Sequence, residues 1–197
     1  MIRIHSTLPK SNVNGPGKRF VIWTQGCGKR CTGCFNPQMQ ELTGGSLISP
    51  DNLFLQISAV HGITGISISG GEPFLQISEI TKLIMNIKKL TDLSVLIYTG
   101  FSIEEIMQES ESKLSLDFID VLIAGPYIHD RKNSGSLASS TNQHIHLITD
   151  KYCIGDFNIP ESEIIIDQNG KIIITGIKPV KFNNKKIRKT TKNEHGV

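Results

Sequence analysis

Short apolar runs alternate with amphipathic segments along most of the chain. The apolar runs are bounded by turn residues and predict β-strands over residues 19–25, 65–69, 93–99, 118–124 and 144–149. Between them lie segments of helical periodicity, and the clearest predicted helix carries its apolar residues on one face at spacings of three and four: Ile77, Ile80, Leu83, Ile84, Ile87 and Leu90. Two further helices are predicted to begin at Pro50, running to about residue 60, and at Ser102.

Repeated strand and helix units imply parallel strands joined by right-handed crossovers. The predicted strands are too few to close an eight-stranded barrel. We therefore expect an α/β fold, an incomplete and open (β/α) barrel of about five or six parallel strands, with its chemistry at the carboxyl ends of the strands.

A different pattern follows the barrel. Two β-branched runs at residues 163–167 and 171–175 flank Asn169-Gly170, which predicts a C-terminal β-hairpin. We expect the hairpin to cover an open edge or the bottom of the sheet, and docking of a partner is its second candidate role.

Length and composition favour one catalytic domain, residues 1–178, followed by a basic tail, residues 179–197. A chain of 197 residues buries one substantial core. No stretch approaches the ~20 apolar residues of a membrane span, and the start of the chain has no long apolar core, so neither a membrane span nor a secretory signal is expected. Three of the four cysteines are clustered, which fits a reducing compartment and predicts a cytoplasmic protein.

The net charge of +3 is unevenly distributed along the chain. From residue 178 onward there are seven basic residues against Glu194, a local charge of +6, which leaves −3 on the remainder. Such a tail attracts nucleic acid or an acidic partner, but Phe182 is its single aromatic residue, so nucleic acid is disfavoured. We expect the tail to be disordered.

Three cysteines follow the first predicted strand at the spacing C-x3-C-x2-C: Cys27, Cys31 and Cys34. Three thiolates leave one iron of a four-iron cubane without a cysteine ligand. A structural zinc site is the alternative, but it needs a fourth ligand close in sequence. The nearest histidines are His5 and His61, and Cys153, which we expect to be a buried thiol, is remote.

A second motif, Gly70-Gly71-Glu72-Pro73, directly follows the predicted strand at residues 65–69. Two glycines permit positive φ and close backbone approach, a carboxylate suits an ammonium partner, and proline stops the turn from continuing as strand. Taken alone, this motif is equally well an ordinary turn between a strand and a helix. Its presence together with the three cysteines makes it informative.

The cysteine spacing and the G-G-E-P motif resemble those of the radical S-adenosylmethionine enzymes. Within that superfamily, residues 13–17 (V-N-G-P-G) resemble the glycyl-radical-enzyme activases. Thr32-Gly33, Asn36-Pro37 and the segments 119–127 and 140–143 are similar to the activase of anaerobic ribonucleotide reductase, so the resemblance spans residues 12–150. The chain departs from that pattern at Ala124, where an acidic residue is common, and at Ala138-Ser139, where R-G precedes the serine, which leaves the glycyl-radical substrate open.

The resemblance implies which residues hold the cofactors. Cys27, Cys31 and Cys34 would hold a [4Fe-4S] cluster. S-adenosyl-L-methionine would be bound near its adenine by Gly33, Cys34 and Phe35 and near its methionyl group or ribose by the ends of two strands: Gly70, Gly71, Glu72, Pro73, Thr99 and Gly100. Strand-end packing is an equally good interpretation of Thr99.

The resemblance also implies the reaction. An electron from reduced flavodoxin or ferredoxin would lead to cleavage of S-adenosylmethionine into methionine and a 5′-deoxyadenosyl radical, which would abstract hydrogen from a glycine of a partner enzyme. The alternative is a radical enzyme that modifies a small molecule or short peptide directly. A plain iron-sulfur electron carrier would have no use for the G-G-E-P motif. His144 and His146 are interpreted as polar surface groups, and residues 129–132 as a solvated loop or a rim for the partner.

Overall fold

The computed structural model of the protein describes residues 1–133, 135–166, 168–170 and 172–176. Within them the strands are β1 (Ile2–Ser11), β2 (Arg19–Thr24), β3 (Ser46–Ile48), β4 (Gly65–Gly70), β5 (Ser94–Thr99), β6 (Val121–Ala124), β7 (His144–Leu147), β8 (Ser162–Ile166) and β9 (Ile172–Gly176). The α-helices are α1 (Pro50–Ser58), α2 (Ile77–Leu90), α3 (Ile103–Gln108) and α4 (Ser110–Ser115). No helix in these ranges has the length and apolar content needed to cross a bilayer.

Seven strands form one sheet in the order β3-β1-β2-β4-β5-β6-β7. The four central strands β2, β4, β5 and β6 are parallel to one another, with Thr24 paired to Gly70 and Thr99 to Ala124. The carboxyl ends of these four strands therefore lie side by side at one edge of the sheet. The predicted α/β class with a mostly parallel sheet is confirmed.

The predicted number of parallel strands is wrong for the described residues, because four strands rather than five or six are parallel. The strand predicted at residues 144–149 runs antiparallel to β6. Among the described residues, its connection to β6 contains one helical turn, His129–Arg131, whereas parallel strands are usually joined through a full α-helix. The pattern also did not predict β1, which pairs antiparallel with β2, or β3, which pairs antiparallel with β1.

Alternation along the strands gives the sheet two faces. One face buries Ile22, Ile68 and Ile97 against α1 and α2. The predicted apolar stripe of α2 is buried there except at its last residue, Leu90, which is 61% exposed, and the helix itself is confirmed. The opposite face, called the inner face below, carries polar side chains beside apolar ones: Arg19, Trp23, Ser67, Ser69, Ser94, Leu96 and Tyr98.

The two other predicted helices begin where the sequence indicated. The Ser49 hydroxyl accepts a hydrogen bond from the Asn52 N–H and caps α1, which ends two residues before the predicted end. Ser102 and Glu105 form a reciprocal capping box at the start of α3. This capping box fixes the chain directly after β5, next to the strand ends that the sequence analysis selected.

The predicted C-terminal hairpin is confirmed, with β8 antiparallel to β9 and Gly170 in the left-handed region at φ 78°. It is anchored to the segment that precedes β2. The Glu163 carboxylate accepts a hydrogen bond from the Asn12 N–H at 3.1 Å, and the Thr175 hydroxyl accepts one from the Asn14 amide at 3.1 Å. The predicted strand ends at 167 and 171, the boundary at 178 and the basic tail lie outside the described residues.

Two buried charged side chains tie together the amino ends of the parallel strands. Arg19 is fully buried and donates to the hydroxyls of Ser67 at 2.7 Å and Ser94 at 3.0 Å. Asp120 accepts from Lys88 and from the Val95 N–H, both at 2.8 Å. These contacts join β2, β4, β5 and α2 at the edge opposite to the cysteines.

Candidate functional site

The cysteine loop, residues 26–36, follows β2 at the carboxyl edge of the sheet. Its base is held by two backbone hydrogen bonds, from Gly26 to the Met39 carbonyl at 2.9 Å and from Cys27 to the Gln40 carbonyl at 3.0 Å. The loop passes through the left-handed region at Arg30 and Gly33. It holds all three cysteines half-buried and free of disulfide bonds.

Backbone N–H groups of the loop point at its sulfurs. Burial raises the pKa of Cys27, and hydrogen bonds from the N–H groups of Lys29 and Arg30 lower that pKa in part. The Cys34 sulfur accepts a hydrogen bond from the Asn36 N–H at 3.4 Å. Hydrogen bonds to thiolate sulfurs are among the features by which proteins tune iron-sulfur clusters. The donor set and its N–H partners therefore fit a cluster ligated by three cysteines.

In the described ranges, no three His, Cys, Asp or Glu side chains are grouped so that they could hold a single metal ion. A tetrahedral zinc site requires all its ligand atoms within about 2.3 Å of one ion, whereas each cysteine of a cubane cluster binds a different iron. Cys153 is exposed, so its prediction as a buried thiol is wrong. It precedes a one-turn surface helix, and its N–H donates to Asp156 at 2.8 Å.

The glycine turn after β4 is in backbone contact with the base of the cysteine loop. The Gly71 N–H donates to the Thr24 carbonyl at 2.9 Å, and the Glu72 N–H donates to the Gly26 carbonyl at 2.8 Å. A Cβ atom at Gly71 would stand 2.3 Å from the Gly26 oxygen, and one at Gly70 would stand 2.5 Å from the Thr24 nitrogen. Only glycine allows this approach, so the two sequence motifs form one structural unit.

Glu72 connects this unit to the end of β5. Its side chain is buried, and its carboxylate accepts hydrogen bonds from the Thr99 hydroxyl at 2.8 Å, the Gly100 N–H at 2.7 Å and the Phe74 N–H at 3.0 Å. Burial raises the pKa of Glu72, and these three donors lower it in part. In the structure, the donors to the Glu72 carboxylate are therefore groups of the protein itself, which the sequence pattern did not show. The predicted role of Glu72 in binding an ammonium group stays a prediction.

The cysteine loop is held from both sides by residues that follow neighbouring strands. On one side, the Lys29 ammonium lies 3.9 Å from the centre of the Phe101 ring and 3.3 Å from a Glu105 oxygen. On the other side, the segment after β6 covers the end of the loop. These two sets of contacts hold the cysteine loop in place between the segment that follows β5 and the segment that follows β6.

The segment after β6 packs directly on two predicted cofactor-binding residues. The Phe35 and Tyr127 rings are 4.8 Å apart between centroids. A Cβ atom at Gly33 would stand 2.5 Å from the His129 Nδ1 atom, so the imidazole occupies the space that a side chain at Gly33 would need. The sequence predicts a solvated loop or a rim for the partner at residues 129–132, and no local signal indicates that His129 contacts the cysteine loop.

A cavity of about 370 Å³ opens on the inner face beside the cysteine loop. Its walls include residues of the inner face, the cysteine loop and the hairpin, among them Trp23, Ser69, Tyr98, Phe35, Asn36 and Ile173. Residues of β1, of the segment before β2 and of the segment after β6 also contribute to the lining. Among the described residues that line it there is no lysine, arginine, aspartate or glutamate. Such walls suit an uncharged ligand with polar groups.

Comparison with known proteins matches this region to a family. The model of the 4Fe-4S single cluster domain family matches residues 13–146, more than half of the chain. The anaerobic ribonucleoside-triphosphate reductase-activating protein of Vibrio cholerae is 30% identical over 153 residues, which cover 74% of this chain and 97% of that protein. The chain belongs to this family of reductase-activating proteins. Its resemblance to the radical S-adenosylmethionine activases is thereby confirmed.

Other members of the reductase-activating family show a similar extent of match. The Escherichia coli K12 protein is 27% identical over 153 residues, 72% of this chain and 96% of that protein. The pyruvate formate-lyase-activating enzyme of Listeria monocytogenes is 37% identical over a shorter stretch of 82 residues, 38% of this chain and 32% of that enzyme. The family match ends at residue 146, before the β8–β9 hairpin begins.

Proposed function

We propose that this protein is a radical S-adenosylmethionine activase that installs a glycyl radical on a partner enzyme of the anaerobic ribonucleotide reductase type. The observation that carries this proposal is the match to a reductase-activating protein over 97% of that protein's length. The geometry supports it, because the cysteine loop, the glycine turn and the end of β5 form one hydrogen-bonded unit at the carboxyl edge of the sheet.

Within this unit we assign the predicted residues to two cofactors. Cys27, Cys31 and Cys34 hold a [4Fe-4S] cluster, for which the half-buried loop and its N–H groups directed at sulfur are suited. S-adenosylmethionine is held by the two segments that adjoin the loop, residues 70–73 and 99–100, and by Gly33, Cys34 and Phe35. The parallel strands curve as an open barrel around this site.

When bound, these groups supply the chemistry: one electron and one glycine hydrogen atom convert S-adenosylmethionine into methionine and 5′-deoxyadenosine and leave a glycyl radical on the partner. The residues of the chain orient the bound groups and protect them from solvent. Backbone N–H groups stabilise the thiolates, and Glu72 fixes Thr99 and Gly100 relative to the glycine turn. Phe35 and Tyr127 pack against each other and hold one side of the loop in place. The uncharged cavity admits a peptide segment to the inner face.

The balance of this reaction requires a one-electron donor. We assign that role to reduced flavodoxin or ferredoxin and place the protein in the cytoplasm, where cysteine thiols stay reduced. No nucleic acid partner is needed for any step.

The test uses anaerobically reconstituted full-length protein. We expect about four irons and four sulfides per chain, cleavage of S-adenosylmethionine with dithionite, and a glycyl radical signal in electron paramagnetic resonance after addition of the anaerobic reductase. Stable zinc without a cluster would overturn the cofactor assignment. Cluster formation and cleavage without any glycyl radical on the reductase would instead favour direct modification of a small molecule or peptide.

A further inference from the structure

The β8–β9 hairpin lies beyond the family match and yet forms part of the candidate site. The match ends at residue 146, and the hairpin begins at Ser162. Four consecutive residues of β9, Ile173 to Gly176, line the cavity that also contacts Trp23 and the cysteine loop. A feature outside the shared domain therefore reaches the region where the shared chemistry takes place.

A hydrogen bond to Thr175 shows which side of β9 faces the body of the protein. Thr175 is buried and its hydroxyl accepts a hydrogen bond from the Asn14 amide, so its side of the ribbon faces the body of the protein. Side chains two apart on a strand share a side. Ile173 therefore faces inward, and it is half-buried, whereas the neighbouring Ile172 points outward and is 52% exposed.

The wall opposite the hairpin offers hydrogen-bonding groups. Tyr98 lines the cavity from β5 and brings a hydroxyl group to it. Burial raises the pKa of Tyr98, so the hydroxyl stays protonated and able to donate. Ser69 and Asn36 add further polar groups without net charge. A peptide segment around a glycine has this character, since it presents mainly backbone N–H and C=O groups.

We propose that the β8–β9 hairpin helps to select the partner by forming one side of the cavity in which the partner's glycine-bearing segment binds. That segment packs between Ile173 and the side of the cavity that includes Trp23 and Tyr98. This inference rests on the proposed function and adds to it the surface that selects the partner segment. Ile173 acts as a positioning residue, because it contacts the incoming peptide and not the cofactors.

The test compares two neighbouring isoleucines in full-length reconstituted protein. Ile173→Glu places a charge on the cavity side, and Ile172→Glu places the same charge on the exposed side. The readout is the ratio of glycyl radical formed on the reductase to S-adenosylmethionine consumed. We expect Ile173→Glu to lower this ratio at least tenfold and to raise the KM for the reductase, with Ile172→Glu within twofold of the unmodified protein.

Iron content shows whether each variant has kept its site. If Ile173→Glu loses iron, Ile173→Ala and Ile172→Ala replace the pair, and we then expect at least a threefold lower ratio for Ile173→Ala. Equal ratios for the two members of the pair that retains iron would overturn the inference about the hairpin. Absence of a glycyl radical with the unmodified protein would overturn the proposed function itself, so the two failures are distinguishable.

Discussion

The two ends of the parallel strands use polar residues in opposite ways. At the amino ends, Arg19 and Asp120 are buried, and their side chains are surrounded by protein donors and acceptors. At the carboxyl ends, the three cysteines of the loop are half-buried, and Tyr98 lines a cavity. Both ends interrupt the apolar core, but only the carboxyl end retains groups able to bind a ligand.

This difference separates stability from function within one sheet. Burial lowers the pKa of the Arg19 guanidinium, and its hydrogen bonds to hydroxyls and carbonyls offset part of the desolvation. Such a group holds strands together and has no access to substrate. At the carboxyl edge, glycines bring backbones into contact, and the three cysteines stay only half-buried. We therefore expect substitutions at the two ends to have distinct effects.

Loss of a cluster ligand has the largest expected effect on function. Cys27→Ser should remove nearly all iron and reduce S-adenosylmethionine cleavage by about 100-fold or more, because serine replaces a soft thiolate with a hard oxygen. Iron analysis measures the loss of iron, and chromatography of the products measures the rate of cleavage. Cys153→Ser is the control, since Cys153 is exposed on a distant surface turn. Equal iron loss in both variants would show that the ligand set is wrong.

At the amino ends, Asp120→Ala should chiefly affect folding. Asp120 is fully buried against Lys88, and removal of one partner of a buried ion pair costs about 3 kcal/mol in free energy of unfolding. Urea denaturation at pH 7 measures this loss. Any remaining folded protein should reconstitute its cluster normally, since the cysteine loop lies at the opposite edge.

The effect of Asp120 should also depend on pH in a defined direction. Burial raises the pKa of Asp120, but Lys88, the Val95 N–H and Thr149 outweigh it and lower the pKa below its ordinary value. The stabilisation is therefore present above the unfolded pKa of about 4 and is lost as pH falls through the folded value. The difference between the unmodified protein and Asp120→Ala should shrink in acid. A constant difference down to the lowest accessible pH would contradict this assignment.

An added methyl group at Gly71 tests the contact between the two motifs. Gly71→Ala puts a Cβ atom 2.3 Å from the Gly26 oxygen, so the base of the cysteine loop must shift. We expect at least about tenfold slower S-adenosylmethionine cleavage together with weaker iron retention, because a shift of the loop base misplaces the bound groups. Gly155→Ala adds a methyl group that meets the Cys153 sulfur only at 3.7 Å and should change neither quantity.

The smallest expected effect concerns the link between β4 and β5. Thr99→Val removes the hydroxyl that donates to Glu72 and leaves that buried carboxylate with one donor fewer. Loss of a donor to a buried group costs about 1–3 kcal/mol of folding free energy. We expect weaker binding of S-adenosylmethionine by equilibrium dialysis with unchanged iron content. Thr99→Ser keeps the hydroxyl and should restore binding. A serine variant as weak as the valine variant would mean that packing, not the hydrogen bond, is what matters.

Local patterns in the sequence determined the cysteine spacing, the glycine turn, helix α2 and the Asn-Gly hairpin, because each depends on residues a few positions apart. Tertiary structure alone decided the antiparallel direction of β7, the contact of His129 with Gly33 and the hydrogen bonds from Thr99 and Gly100 to Glu72. These join residues dozens of positions apart, and strand order sets their distance. Tertiary structure likewise placed the hairpin against the cavity, since its own sequence specifies a ribbon but not the surface on which the ribbon packs.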